Sequence, residues 1–528
     1  MNKVNPLQAV KQGINLLYKG QVQQAAQISS RLLEAAGDLA HVHYLACEVA
    51  LARGELGLAL EHINRAIEIS SEEPALRLKK ARIELGLRRG VLAQETVLGA
   101  VAPEVTEPEI LLEAARILGE CNNHRVAEQY LVQAIGQRET ADILFEFARN
   151  QLFLGRIEQA ERAIASHMDR GLPVNGQILL LRSQLQKQTA DSNHVPMLRN
   201  YLDRKLPQKE SVYGYFALAK ELEDLGEYAQ SFEARRAGAA LKRRQLQFSL
   251  ADELNNIDGL INTFQPPTFA AVADSGRVDA PIFILGMPRT GTTLVERILG
   301  KHGDVRSGGE TQDFTLAMSE VIDQYIASRP GRGLNPMSAA LEVDFGCIAD
   351  RYLNLMEGML GPSVRYLDKF PFNFLYCGLI RKAFPRARIV HVVRDPMDTC
   401  YAVFQTLFHQ VCSFSYDLDE IADYYIAYRR LMDHWHKLMP GAILDLHYEA
   451  LVSNPGEESK RLADFVGIEW SENLIDGDNI SEAFTTASAA QVRQPIHAGS
   501  IQKWRNYATE LEPVKQKLQA AGLLAEPG

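Results

Sequence analysis

An even spacing of small residues constrains the fold of this chain more than any other feature. Ala25, Ala59, Ala93 and Ala127 are equally spaced, and Ala160 falls one position short of the next place in the series. Two further columns keep the same phase. Twelve residues before each alanine stand Gly13, Cys47, Ala81, Ala115 and Ala148; seven residues after it stand Leu32, Ala66, Ala100, Ala134 and His167. Small residues at a fixed period mark the close approach of two helices within a repeated unit. The segments between them, such as LALEHINRAIEI (58–69) and AEQYLVQAI (127–135), are amphipathic with helical period. Gly20 and Gly54 fall where one helix turns into the next, a position that favours left-handed backbone. One such pair cannot bury its apolar face alone, so the units must stack.

The spacing and the small-residue columns resemble a tetratricopeptide array over roughly residues 5–245. The columns fade over 165–210, yet the interval from Ala160 to Ser231 leaves room for two units, which makes six or seven in all. The proline that closes each repeat in that family is mostly missing, Pro74 being an exception. The resemblance implies a concave surface that binds a peptide or protein partner. The alternative is a solenoid that only stabilises what it is attached to. His167, in a core column, reads as a packed residue.

Residues 248–279, with Pro266, Pro267 and Gly276, read as a surface linker. The expected organisation is a multidomain chain: an all-α tetratricopeptide-like solenoid over 1–247, the linker over 248–279, and an α/β P-loop-like domain with a central parallel sheet over 280–528. A chain of 528 residues is too long for one core. The net charge of −10 argues against nucleic acid as a partner. No run of about 18 apolar residues occurs, so no membrane span is expected. The opening MNKVNPLQAVKQGINLLYKG lacks the apolar core and cleavage site of a signal peptide, and the cytoplasm is the expected compartment. The six cysteines are far apart with no CxxC pair, as expected of reduced thiols.

The stretch APIFILGMPRTGTTLVERILGKH (280–302) carries the chemistry. Pro281 to Leu285 is an apolar strand, Gly286 to Gly291 a turn-rich loop, and Thr292 begins an amphipathic helix. Strand, glycine loop and helix N-terminus together present backbone N–H groups to an anion. A nucleoside-triphosphate loop has the form G-x-x-x-x-G-K-[ST]. Gly286, Gly291 and Thr293 fit that form, but Thr292 stands in place of the lysine. The lysine normally neutralises a triphosphate, so kinase or ATPase chemistry is disfavoured. A second block, ARIVHVVRDPMDTCYAVF (387–404), reads as a buried strand ending at Arg394, which places a cation at the carboxyl edge of a sheet.

PRTGTTL resembles the 5′-phosphosulfate loop of sulfotransferases, [RK]-[ST]-G-T-T-[WL], and its arginine form is similar to the tyrosylprotein enzymes. The resemblance spans about residues 280–510. It implies that Arg289, Thr290, Gly291, Thr292 and Thr293 hold the 5′-phosphosulfate of 3′-phosphoadenosine-5′-phosphosulfate (PAPS). Arg394 matches the family's 3′-phosphate arginine; the serine eight residues on is Ala402 here, with Thr399 or Tyr401 as candidate replacements. TTASAAQVRQP (485–495) resembles the loop over the cofactor, with Ser488 on its serine and Gln491-Val492 on its Q-V pair. GSIQKWRNY (499–507) resembles the closing K-W element, with Lys503 on the lysine near the phosphates.

VRSGGETQDF (305–314) resembles the R-C-G-E-E-T-R segment, with Glu310 on the catalytic glutamate, Gly309 replacing its acidic neighbour and Gln312 its arginine. YLDKFPFNF (366–374) resembles N-K-D-P-F, with Lys369 on the catalytic lysine. The implied activity is sulfuryl transfer to an acceptor hydroxyl, of a tyrosyl peptide or a saccharide. Glu310 is then the base, and Lys369 and Arg289 face the developing charge. No metal is expected, because neither the chemistry nor any His/Cys/Asp/Glu spacing calls for one. His302, His409 and His497 are weaker candidate bases. The competing readings are a non-catalytic nucleotide-binding scaffold whose repeats mediate protein interaction, and a P-loop kinase or hydrolase.

Overall fold

A computed structural model describes residues 5–71, 73–102, 104–271, 273–276, 279–408, 412–476, 496 and 499–524. It contains two compact units, Met1–Asn150 with Leu355–Gly361, and Gln151–Asn354 with Pro362–Gly528. The division by packing does not fall where the repeats end in the sequence, since helices from both parts share the second unit.

The first unit is a succession of helices: Pro6–Tyr18, Val22–Ala36, Ala40–Ala52, Leu56–Ile69, Pro74–Gly86, Gly90–Ala100, Pro108–Glu120 and His124–Gln137. Each packs on the next, and Pro6–Tyr18 and Pro74–Gly86 also pack on the helix two positions on. The small-residue columns lie inside these contacts: Ala25, Ala59, Cys47, Ala81 and Ala93 are fully buried. A methyl added at Gly13 would stand 2.7 Å from Leu45 Cδ2, so the side chain is absent because a neighbouring helix fills its space. The turn is also periodic. Gly20, Gly54, Arg88 and Asn122 all have positive φ, at 72°, 75°, 60° and 59°. The repeat therefore imposes left-handed backbone once in every unit, even where the residue is not glycine.

The second unit opens with more helix pairs. The stretch where the columns fade contains Gly176–Leu185, the short Val195–Leu202 and Gln208–Asp224. The pattern returns at Ser231, which is fully buried and donates to the Ala219 carbonyl at 2.6 Å. His167 is buried and donates through Nε2 to the Pro173 carbonyl at 2.9 Å, a packing role.

Residues 248–279 depart from the surface linker read in the sequence. Ser249 caps the helix Leu250–Thr263 by accepting from the Asp252 amide, and acidic residues fill its first turn. Ile257 and Leu260 are buried from that helix, and Phe264 follows them inward. The prolines that signal a break stand only after this helix, at the start of Pro266–Ala271.

The α/β part is built on five parallel strands: β1 (Ile282–Leu285), β2 (Val305–Ser307), β3 (Arg365–Asp368), β4 (Arg388–Val393) and β5 (Ile443–His447), in the order β2-β3-β1-β4-β5. β1 pairs in parallel with both β3 and β4, with Leu285 opposite His391. A strand covered on both faces has no polar side, which explains the unbroken Ile-Phe-Ile-Leu run. Ile282, Ile284, Val390 and Val392 pack with Val295, Ile298 and Leu299 of helix Thr292–Gly300 on one face. On the other, Phe283 meets the rings of Phe314, Tyr352 and Phe384. The chain leaves β1 toward β2 and leaves β4 toward β5, so the order reverses between β1 and β4. Ligands of open α/β sheets bind at the carboxyl ends of such a pair. Among the described residues no helix is long and apolar enough to cross a membrane.

The turn column is tested at Gly54, where an added methyl would meet nothing within 4 Å. Gly54→Ala then measures backbone strain alone. It should cost about 1 kcal/mol in urea denaturation, and Gly54→Asn clearly less, because asparagine tolerates left-handed backbone.

Candidate active site

The loop after β1 is shaped by backbone conformation. Gly286 has φ 144°, and a Cβ there would lie 2.6 Å from the Val392 carbonyl oxygen, so only glycine lets β1 and β4 end side by side. Thr290, almost fully buried, donates its hydroxyl to the Met287 carbonyl at 2.8 Å and closes the turn. Gly291 has φ 103° and lies under the Tyr448 ring, where a Cβ would approach within 2.6 Å. It precedes helix Thr292–Gly300, whose N-terminus has no side-chain cap, and Thr292 and Thr293 are buried in the first turn. The Leu294 amide is taken by the Gly291 carbonyl at 2.9 Å, which leaves the Thr292 and Thr293 amides as the donors an anion could use.

Arg289 takes φ 69° between these residues. This conformation turns its carbonyl toward Arg394, whose Nη1 donates to it at 3.0 Å. Burial first, and the like charge of Arg394 second, push the Arg289 guanidinium down to about 10, while Glu310 and Tyr448 act the other way. It stays a cation at neutral pH. Arg394 is itself buried, lies over the Tyr448 ring at 5.0 Å, and donates through Nη2 to the Ser500 carbonyl. Its Nε is buried without an acceptor among the described residues. Two neighbouring guanidiniums, Arg289 half-buried and Arg394 buried with an unsatisfied donor, fit a bound anion.

Glu310 and Lys369, far apart in sequence, meet: Lys369 Nζ donates to Glu310 Oε1 at 2.6 Å. Lys369 is wholly buried and has a second carboxylate, Glu296, at 3.5 Å. Glu310 is about half exposed, at 46%. Asp368, the residue before Lys369 in the chain, accepts from Asn373 Nδ2 at 3.0 Å. Glu296, on the helix after the loop, was not singled out in the sequence. Its Oε1 accepts from Ser307 at 2.6 Å, and the Gly309 amide donates to the same serine hydroxyl. Gly309 has φ 68° and gives its carbonyl to the Lys369 amide, which accounts for a glycine beside Glu310.

Neither hydroxyl considered in place of the missing serine at Ala402 is available to an anion. Thr399 is fully buried and donates to the Asp395 carbonyl, and Tyr401 donates to Glu223 at 2.7 Å. The segment after residue 499 docks on helix Pro396–Phe404: Asp398 accepts from the Gln502 and Trp504 amides at 2.6 and 3.1 Å. Lys503 pairs with Glu223, at the end of helix Gln208–Asp224. Ser488, Gln491, Val492, His409 and His497 lie outside the described residues. His302 receives the Asp304 amide on Nδ1 in a surface turn.

One group of residues able to ligate a metal forms across the sheet, although no spacing in the sequence suggested it: His391, His436 and Asp445. Asp445 Oδ1 lies 2.7 Å from His391 Nδ1 and 2.9 Å from His436 Nε2, and His391 Nε2 meets the Tyr428 hydroxyl. Burial lowers His391, whereas the bond to Asp445 raises His436. Hydrogen bonding accounts for every one of these contacts.

Residues 281–472 match the family model described as the sulfotransferase family. The C-terminal part of the chain is thus a sulfotransferase-family domain, carried behind a tetratricopeptide-like helical array. The chain is similar to an uncharacterised protein of Aquifex aeolicus, 30% identical over 78% of this chain and 55% of that one. It is also similar to protein-tyrosine sulfotransferase A of Caenorhabditis elegans (25% identical, 42% of this chain and 60% of that one) and to protein-tyrosine sulfotransferase 1 of Danio rerio (28%, 42% and 65%). The chain therefore spans less than two thirds of the length of these relatives. Among solved structures, the sulfotransferase domain of the Synechococcus PCC 7002 olefin synthase aligns with a TM-score of 0.35 at 20% identity, over 48% of this chain and 99% of that one.

Glu223 gives this region a pH signature. Burial alone would raise its carboxyl, but the charges of Arg235 and Lys503 and hydrogen bonds from Lys503 and Tyr401 outweigh that and lower it to about 2, from 4.5. A carboxyl lowered on folding contributes stability that is complete above pH 4.5 and is lost as pH falls toward 2. Relative to Glu223→Gln, the wild type should be more stable by roughly 3 kcal/mol at neutral pH, and chemical denaturation at descending pH should show that gap closing across this window.

Proposed function

We propose that this protein transfers a sulfuryl group from PAPS to an acceptor hydroxyl, with no metal required. The observation that carries this reading is the convergence at one sheet edge of two guanidiniums, the half-buried Arg289 and the buried Arg394, with a half-exposed glutamate held on a buried lysine. The family match of residues 281–472 supports it. When bound, the nucleotide supplies a sulfuryl group already activated by a phosphate leaving group.

The chain's own residues divide the remaining work. The amides at the start of helix Thr292–Gly300, with Thr290, Gly291, Thr292, Thr293 and Arg289, hold the 5′ end. Arg394 holds the 3′-phosphate through donors that the buried segment around it keeps in place. Glu310 accepts the proton of the acceptor hydroxyl at its carboxylate. Lys369 faces the negative charge that develops beside it, and Glu296 remains as its counterion when Glu310 turns to the substrate. Preorganised charge of this kind acts without reorganising during the reaction. Lys503 and Ser488 complete the donor site in this reading. The functional partition is a repeat region over 1–247, a connection over 248–279 and a transferase over 280–528. The acceptor is a tyrosyl peptide or a saccharide, and the repeats bind a protein partner or the substrate itself; the names of the protein-tyrosine sulfotransferase relatives support the peptide.

Incubating the purified chain with radiolabelled PAPS and a panel of tyrosyl peptides, saccharides and phenols tests the proposal. Labelled product is expected, and a chain that labels none of them and gives no binding heat with adenosine 3′,5′-bisphosphate overturns it. Glu310→Ala should cut turnover by about 10²- to 10⁴-fold with bisphosphate affinity retained, because Glu296 still neutralises Lys369. Arg289→Ala should abolish both turnover and thermal protection by the bisphosphate.

A further inference from the structure

Lys503 does not point at open solvent. Its ammonium pairs with Glu223, a carboxylate contributed by a helix that lies well before the sheet domain in the chain. Glu223 is nearly buried and has four partners: Lys503, Arg235 at 3.1 Å, and the hydroxyls of Tyr401 at 2.7 Å and Tyr507 at 3.0 Å. The two cations are not equivalent. The Arg235 side chain is only 4% exposed and also donates to the Gln405 carbonyl, whereas Lys503 is 36% exposed. The phenols are fixed by stacking of their rings at 4.4 Å.

This asymmetry makes Lys503 the exchangeable partner. If the lysine swings away, Glu223 keeps a buried guanidinium and two hydroxyl donors, so no uncompensated carboxylate is left. The backbone beside Lys503 need not move, because the Gln502 and Trp504 amides are both held by Asp398. The same segment is gripped by Arg394 through the Ser500 carbonyl. The lysine therefore stands on a fixed base next to the cation that faces the nucleotide.

We propose that Glu223 is a positioning residue that competes with the nucleotide's phosphate for Lys503, so that the helix Gln208–Asp224 sets the affinity of the donor site. The inference rests on the donor-site reading above, in which Lys503 serves a phosphate. It makes the helical segment before the sheet a working part of that site.

The test is calorimetry of adenosine 3′,5′-bisphosphate binding to the full chain as wild type, Glu223→Gln, Lys503→Ala and the double variant. Glu223→Gln should bind about fivefold tighter, the size expected when a lysine about one-third exposed is freed from an ion pair. Lys503→Ala should bind more weakly than wild type, and adding Glu223→Gln to it should change nothing. A purely structural role for Glu223 would instead weaken binding on both backgrounds. Weaker or unchanged binding by Glu223→Gln, or equal tightening with and without Lys503, overturns the proposal. Should melting curves show that Glu223→Gln does not fold, Glu223→Asp keeps the charge one methylene farther from the lysine. It should tighten binding about twofold, again only when Lys503 is present, and absence of that coupling is equally decisive. A wild type that binds no bisphosphate overturns the donor-site reading together with this inference, whereas binding without coupling overturns only the role of Glu223.

Discussion

A wholly buried ammonium, Lys369, organises the site. Removing a cation from water costs several kcal/mol unless charge and hydrogen bonds replace its hydration. Here the replacement comes from two carboxylates on different elements: Glu296 on the helix after the loop, and Glu310 after β2. The lysine follows β3 directly, and its amide bonds the Gly309 carbonyl. One charge thus ties the ends of β2 and β3 to the helix that follows the Gly286–Gly291 loop. The two carboxylates differ in a way that matters. Glu296 is buried and fixed by Ser307, whereas Glu310 is half exposed. Glu310 can exchange the lysine for another partner while the lysine remains neutralised.

The helical array was legible in the sequence because its constraint is local and repeated. Ala59 and Ala93 are buried at 0% exposure for the same reason, the approach of a neighbouring helix, so identity and spacing suffice to reveal them. The left-handed turn was only half legible. Gly20 and Gly54 announce it, but Arg88 and Asn122 adopt the same backbone without the residue that signals it. Tertiary packing overrides local preference there. The opposite error occurred at 250–263, where prolines placed just beyond a helix made the whole stretch read as irregular, although Ser249 caps it and Ile257 and Leu260 bury one face.

The site divides along the same line. The loop from Gly286 to Thr293 and the arginine ending β4 were legible, because strand, glycine turn and helix follow one another in the chain. Their meeting at the junction of β1 and β4 follows from parallel pairing. Glu296 and Glu223 were not legible. Each does its work across the fold, on a lysine distant in the chain: Glu296 on Lys369, and Glu223 on Lys503. Neither lies in a pattern that separates it from an ordinary helical glutamate. The replacement of the lost hydroxyl at Ala402 by Thr399 or Tyr401 failed for the same cause: both hydroxyls are taken by long-range or backbone partners that spacing does not reveal.

The chain carries a net charge of −10, yet the proposed ligand is a polyanion. Screening reduces the influence of distant surface charge beyond about 8 to 10 Å, so the local cations decide. They are not left bare. Arg394 donates to the carbonyls of Arg289 and Ser500, Lys369 is held by two carboxylates, and Lys503 by Glu223. In the donor-site reading, binding then exchanges partners at the other donors and fills the one that Arg394 Nε leaves without an acceptor among the described residues. A singly charged anion that offers Arg394 no more than a carbonyl does, and that cannot match Glu223 for Lys503, gains little. A ligand with two separate phosphate groups can engage the guanidinium pair and the lysine together. In that same reading the internal pairs neutralise these cations while no ligand is bound, and they make occupancy depend on the number and placement of the ligand's charges.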